Sequence, residues 1–262
     1  EVAYRRAIEL DEKFFLPWFG LGGLLQYEFG RYEEAEVAYR QAIRLGDKID
    51  FLWNHLGNLL QDHVGRFDEA EVAYRQAIAL DPKSASSWNG LGNLLQDHLG
   101  RFDEAKAAYR QAIALDDREA CYVANLARLE AACGCGDEAT ALYRNTLELV
   151  EAGDYQLQLQ AHLWLGNRDS AMQGLNALAG QAAEGDGWAF FRLREQCREC
   201  FGIGQGLALA ELMAASPWAD FLLPFSLALG ATASGAVPTG AAPEILSLAE
   251  EILEEIRGRI GR

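Results

Sequence analysis

The chain has 262 residues, 50% apolar and 24% charged, which allows a substantial buried core in a soluble globular protein. Its formal net charge of −16 is spread along the whole length, with no acidic tail and no basic patch. Diffuse negative charge repels nucleic acid and anionic lipid, so neither is expected as a partner, and it favours a neutral or basic one. No stretch of about 20 uncharged apolar residues occurs, so no membrane span is expected. The least charged stretch, Phe221 to Pro243, is broken by Pro224, Gly230, Gly235, Pro238 and Gly240. No secretory signal opens the sequence, and an odd number of cysteines fits a reducing compartment, so a cytoplasmic location is expected.

The chain repeats from its first residues. Tyr4, Tyr39, Tyr74 and Tyr109 are spaced by 35 residues. The same step relates Ala7, Ala42, Ala77 and Ala112, then Trp18, Trp53 and Trp88, then Gly30, Gly65 and Gly100. Self-similarity at such a period is the mark of stacked supersecondary units. Residues 1–14 match only the second helix of a unit, and the expectation is a chain cut from a longer protein. Residues 15–49, 50–84 and 85–119 are clear units, each reading as two helices. In the middle one, Trp53, Leu56, Leu59 and Leu60 lie at helical spacing, followed from near Phe67 by Ala70, Ala73, Tyr74, Ala77 and Ile78. Gly65 serves the reversal, which needs a residue free of Cβ clashes. Asp81-Pro82 ends the second helix, because proline disfavours helical backbone in the residue before it. The small residues Gly57 and Ala70 let the helices approach closely, and Trp53 and Tyr74 are expected to fill the space between neighbouring pairs.

The set Trp53, Leu56-Gly57, Gly65, Ala70, Tyr74, Ala77 and Pro82 resembles the tetratricopeptide repeat family, and the resemblance is specific over residues 18 to 119. It implies an all-α fold: an α-solenoid of helix-turn-helix repeats in a right-handed superhelix. Two departures stand out. The period is 35 rather than the usual 34, with the extra residue expected in the first helix before the turn. Leu25, Leu60 and Leu95 stand where the family often has an aromatic.

Further along, the pattern decays. Residues 120–151 form a degenerate unit with Val123 in the tryptophan position and Leu126, Ala127, Gly134, Ala139 and Tyr143 in place. Residues 152–180 form a weaker one, with Tyr155, Leu159, Gly166, Ala171 and Leu175. The array is thus expected over 1–180. Residues 181–262 are expected to be a helical C-terminal cap or a small domain, with helices near 187–201, 205–215, 218–229 and 243–258, since terminal units of a solenoid are atypical.

The first helices of such an array line its concave face. In the second and third clear units the residues expected there are Asn54, Asn58, Gln61 and Asp62, then Asn89, Asn93, Gln96 and Asp97. Arg128, Gln156 and Gln160 are the later equivalents, and Phe19, Gly23, Gln26 and Tyr27 the earlier ones. A carboxamide both donates and accepts, so a row of them can clamp an extended peptide by its backbone. The family resemblance adds an asparagine ladder, with Asn58 and Asn93 at the matching positions. Duplication offers the plainer account that the amides recur because everything recurs. The function expected is therefore a protein–protein interaction module for a peptide or protein segment, with Phe19, Tyr27 and Trp164 adding apolar contacts. Near-identical repeats also resemble the arrays of large bacterial signalling proteins, which implies a sensor or regulatory domain controlling an ATPase or protease-like effector elsewhere in a longer chain, and would make other domains of the same chain the partner.

Other constellations carry less. Cys133-Gly-Cys135 and Cys197-x-x-Cys200 could together offer four thiolates to zinc, but they lie far apart and no histidine cluster supports them. Redox use of the second pair is weaker still, and cysteine as a small core residue is the simpler reading. His63 and His98 recur near first-helix ends, about 10 Å apart if neighbouring repeats stack at usual helix distances, too far to share a metal. There they are expected to favour the helix dipole. The run Glu250, Glu251, Glu254, Glu255 reads as a solvated face. Phe201-Gly-Ile-Gly-Gln-Gly206 lacks a preceding strand and is not read as nucleotide-binding. No cofactor and no enzymatic activity are expected.

Overall fold

The computed structural model describes residues 1–46, 48–151, 153–184, 205–234 and 243–260. All regular structure among them is helical. The chain divides into two compact units, Glu1–Asp117 and Arg118–Arg262.

The first unit holds α1 (Val2–Leu10), α2 (Phe15–Tyr27), α3 (Tyr32–Leu45), α4 (Asp50–Leu59), α5 (Phe67–Leu80), α6 (Ala85–Asp97) and α7 (Phe102–Leu115). A π-helical turn, Leu60–Val64, extends α4. The pairs α2–α3, α4–α5 and α6–α7 pack along their lengths, and α3 and α5 each pack on the first helix of the next pair. Each of α3, α5 and α7 opens on two acids, Glu33 and Glu34, Asp68 and Glu69, Asp103 and Glu104, which suit the positive end of a helix dipole. Leu80 is the last residue of α5 and Asp81 is already extended, as the following proline requires.

Tyrosine sets the spacing of the helices. Tyr39, Tyr74 and Tyr109 are fully buried. A Cβ placed on Gly22, Gly57 or Gly92 would stand 2.7, 2.8 or 2.6 Å from the ring of the tyrosine in its own pair. Tyr74 also faces Gly90 of the next pair, where a Cβ would come within 2.6 Å. Each ring therefore occupies the room that a missing side chain leaves in its own pair, and Tyr74 also joins its pair to the next.

The extra residue of the 35-residue period is in the turn, not in the first helix where it was expected, because it is the closure of the reversal that lengthens. Gly30, Gly65 and Gly100 have φ of +60°, +69° and +63°, and the amides of Arg31, Arg66 and Arg101 close back on the carbonyls of Leu25, Leu60 and Leu95. In the second unit the corresponding closures run from Cys135 to Glu130 and from Asn167 to His162, one residue tighter.

Those turn arginines also bridge repeats. Arg66 pairs with Glu69 in its own repeat and with Glu36, at 2.7 Å, in the repeat before. Arg31 does the same with Glu34 and Glu1, and Arg101 with Glu104 and Glu71.

The second unit holds α8 (Ala120–Ala132), α9 (Gly136–Leu149), α10 (Tyr155–Trp164), α11 (Arg168–Ala183), α12 (Gly206–Ala215), α13 (Ala219–Ser234) and α14 (Pro243–Ile260). Val123 is buried in the tryptophan position, and Tyr143 is fully buried like its counterparts. The helices α12 to α14 share one apolar core with α10 and α11, built on Leu159, Leu175, Met213, Phe225, Leu229 and Ile252 among others. Three of the four helices expected after residue 180 are found; the fourth, near 187–201, lies outside the described residues. The compact units part after Asp117, ahead of the change of pattern read near residue 180.

Candidate functional site

The repeated amides are half engaged by the repeated tyrosines. Tyr74 Oη donates to Asn58 Oδ1 at 2.7 Å and lies 3.1 Å from Gln61 Oε1. Tyr109 Oη repeats this with Asn93 Oδ1 at 2.8 Å and Gln96 Oε1 at 3.0 Å. A hydroxyl has one proton, so it serves one carbonyl at a time, and the second carboxamide fits by turning its NH2 toward Oη. The shorter contact assigns the proton to asparagine. Asn58 Oδ1 and Asn93 Oδ1 then face the core, and their Nδ2 donors are turned away from it. Burial, with the Asp62 carboxylate and Tyr27 adding to it, pushes the Tyr74 hydroxyl well above its ordinary pKa, which keeps that proton in place.

The remaining residues on the expected face divide. Asp62 is exposed, and Asn89 and Asp97 are half-buried. Asn54 is buried instead: its Nδ2 donates to Ser87 Oγ at 3.1 Å, tying α4 to α6. The displayed stripe of α4 accordingly runs through Phe51, His55, Asn58 and Asp62, at helical spacing. Gln26 is also buried, accepting from Tyr39 Oη at 2.9 Å. In the second unit Arg128 and Gln160 are buried and Gln156 is half-buried, so the first two do not present their side chains to solvent as expected. Trp164 turns inward: its indole N–H donates to Thr140 Oγ1 at 3.0 Å and its ring packs on Tyr143.

Phe19, expected as an apolar contact, sits in a group of rings whose other members went unread in the sequence. Phe19 lies with its ring centroid 5.2 Å from Phe51, 4.9 Å from His55 and 5.8 Å from Tyr39, and Phe15 is 6.4 Å from Phe51. The signal was present, since Leu16 and Phe51 stand at the repeat position that Ser86 fills in the third clear unit.

The histidines serve packing between repeats. His63 stacks on Tyr32 at 4.2 Å and His98 on Phe67 at 4.1 Å, each pairing the end of one first helix with the start of the preceding second helix. No cluster of three or more potential metal ligands occurs among the described residues. Cys133 is exposed, and Cys121 and Cys135 are half-buried. Cys197 and Cys200 lie outside the described residues, as does most of the glycine-rich Phe201–Gly206 stretch. Among the described residues no helix is long and apolar enough to cross a membrane.

Helix pairs repeated in tandem, three of them locked by a buried tyrosine on a glycine, define an all-α solenoid. Two family models, both described as tetratricopeptide repeat, match residues 18–45 and 49–118. Over those residues the chain carries tetratricopeptide repeats. Similar solved structures include PilW, described as a widely conserved type IV pilus biogenesis factor. It is 22% identical, covers 70% of this chain and 83% of its own, and has a TM-score of 0.55. The Pseudomonas aeruginosa PilF structure is 18% identical over 71% of this chain and 83% of its own, also at 0.55. YrrB, described as a TPR protein with an unusual peptide-binding site, is 18% identical over 74% and 98%, at 0.50. These likenesses show the fold. No curated protein sequence matches the chain.

Proposed function

We propose that the first unit is a protein-interaction module, not an enzyme, and that it holds an extended segment of a partner protein along α2, α4 and α6. Asn58 and Asn93 donate to carbonyls of the bound backbone, with Gln61 and Gln96 beside them. Asp62, Asn89 and Asp97 complete the face. The observation that carries the reading is the duplicated tyrosine–asparagine bond. It orients two amides alike in successive repeats and leaves each Nδ2 without a partner among the described residues. Orientation fixed in advance lowers the entropy cost of binding. Asn54, Arg128 and Gln160 are left out of the face because they are buried.

The test is a pull-down from native lysate with the chain as bait, beside Asn58→Ala/Asn93→Ala, with the captured partner then titrated by calorimetry. Two lost hydrogen bonds of about 1 kcal/mol each predict about thirtyfold weaker binding. Tyr74 and Tyr109 keep Gln61 and Gln96, so the variant should melt close to the parent. Unchanged affinity would move the site elsewhere; an unfolded variant would make the amides structural.

A further inference from the structure

We infer that the first unit carries a second interaction surface, a groove between α3 and α5, and that it takes a protein segment presenting a bulky apolar side chain beside an aspartate or glutamate. This surface is separate from the amide face and does not depend on it. Trp53, Leu56 and Leu60 floor the groove, and Asn58 lies on the other side of the same helix.

The groove has a volume of about 470 Å³. Ile43 of α3 and Val72 and Ala73 of α5 form its apolar walls. Ile43, Leu56, Leu60 and Ala73 are buried and Trp53 is half-buried, while Val72 stands on the rim at 65% exposed. An aliphatic or aromatic side chain laid on this surface removes apolar area from water on both partners. A ligand pocket buries most of a small molecule, and an open trough between two helices does not. A side chain that projects from a protein segment is covered from above by that segment, so a segment suits the trough better than a free small molecule.

Three charged residues line the groove, Arg40, Arg44 and Glu69. Two of them are committed to each other: Arg40 pairs with Glu69 at 3.0 Å and with Glu36 at 2.9 Å, and Glu69 also pairs with Arg66. Arg44 is exposed and makes no ion pair or side-chain hydrogen bond among the described residues, whereas Arg5, Arg6 and Arg75 on other second helices are ion-paired. The repeats isolate this residue. One step further along, Ile78, Trp88, Leu91, Leu95 and Ala108 reproduce the apolar lining, but Ala79 stands for Arg44 and Ala107 for Val72. One step earlier the position of Arg44 is Glu9, which is paired with Arg6. The groove between α3 and α5 thus combines an apolar trough with a guanidinium that nothing in the chain neutralises. A guanidinium so placed takes one carboxylate, by two parallel hydrogen bonds. The diffuse net charge of −16 repels a strongly acidic partner, so the fit is to a single acid on an otherwise neutral segment.

The experiment is selection from a random library of C-terminally amidated peptides on the full chain, followed by fluorescence anisotropy of the selected peptides. Arg44→Ala, Arg44→Glu and Val72→Ala are compared with the parent. Each introduces a residue the array already uses at the equivalent position, as Ala79, Glu9 and Ala107, so each should fold, and circular dichroism melts check it. The expected result is a class of peptides with a bulky apolar residue beside Asp or Glu. Their binding should weaken about fivefold with Arg44→Ala, as for one ion pair at a surface, more with Arg44→Glu, and also with Val72→Ala. Replacing the acid of the peptide by its amide should cost the same factor on the parent and nothing further on Arg44→Ala, which assigns the acid to Arg44. The same peptides should keep their affinity for Asn58→Ala/Asn93→Ala. Peptides that depend on Asn58 and Asn93 and are indifferent to Arg44 would support the amide face and overturn the groove. A library that yields no binder sensitive to Arg44 would overturn it too. A dimer in sedimentation velocity that Arg44→Glu dissociates would assign the groove to a second copy and overturn the inference as well.

Discussion

Residues 1–117 and residues 118–262 hold helix pairs together in different ways. In the first unit three contacts recur at a 35-residue step: tyrosine on glycine and amide, histidine on the preceding aromatic, and turn arginine on two glutamates. In the second unit the partners change together. Ala131 stands where Gln61 and Gln96 stand, Cys133 where the stacking histidines stand, and Cys135 where the turn arginines stand. Lys106, at the end of the first unit, replaces the acid that Glu1, Glu36 and Glu71 supply. A contact between repeats needs both partners at a fixed offset, so losing one residue type ends a whole series. The second unit relies instead on one larger apolar core shared by α10 to α14. Repetition is what makes the proposed periodic face possible.

The most severe way to break the comparison is Tyr74→Ala. It empties a fully buried site between Gly57 and Gly90 and strands the amides of Asn58 and Gln61. Loss of a buried aromatic costs about 3–5 kcal/mol. Hydrogen exchange should show protection lost across α4 to α6 while α12 to α14 keep theirs. Equal loss in both units would mean that they unfold as one. A milder version is Gly92→Ala, whose Cβ would lie 2.6 Å from the Tyr109 ring. Overpacking of about 1–3 kcal/mol outweighs the better helix propensity of alanine, about 1 kcal/mol. A urea midpoint that rises instead would show that the ring can retreat and that the glycine does not set the spacing.

Much of this was legible in the sequence because each unit repeats its own evidence. The helix pairs, the turn glycines and the tyrosine between pairs all follow from spacing that three copies confirm. The side of a helix on which a residue lies is harder. Asn54 and Asn58 are one turn apart and were both placed on the open face, yet Asn54 bonds Ser87 between repeats and is buried. That depends on how closely α4 and α6 approach, which no single helix encodes. The tyrosine's hold on the amides was missed for the same reason, since the interval from Asn58 to Tyr74 crosses a turn. Gln160 and Arg128 were extrapolated from a period that had already shortened. Of the ring group only Phe19 was weighed as a site; the rest was visible as a departure from the repeat at Leu16 and Phe51, outside the positions expected on the face.

The arginine bridges sharpen the comparison at lower cost. They are largely exposed, and solvent screening leaves each such pair a small contribution. Glu69 and Glu104 are held below the ordinary carboxylate value of 4.5 by Arg66 and Arg101 respectively. A lowered pKa in the folded chain contributes stability that is complete above about pH 4.5 and is lost as pH falls through the lowered value. Glu69→Gln/Glu104→Gln should therefore flatten the acid limb of the melting curve and reduce its dependence on salt. An unchanged acid limb would show that the bridges add nothing to holding the repeats.

His55 gives the smallest effect, and it acts in a separate pH window. It breaks the repeat from inside the first unit, standing where Gly20 and Gly90 leave room for a tyrosine, and it packs on Phe19 and near Tyr39. Its Nδ1 is buried with no hydrogen-bond partner among the described residues. Burial lowers its pKa below the ordinary 6.5, so the folded chain resists a proton that the unfolded chain accepts. Stability from this group is complete above about pH 6.5 and declines as pH falls below it toward the lowered value. His55→Gln should make the melting temperature less sensitive to pH in that window while leaving the acid limb near the carboxylate range as it was. His63 and His162 are lowered by burial in the same way, so the wild-type-minus-variant difference isolates His55. If that difference does not change with pH, the imidazole reaches solvent in the folded chain. The rings around it would then be looser than their spacing implies.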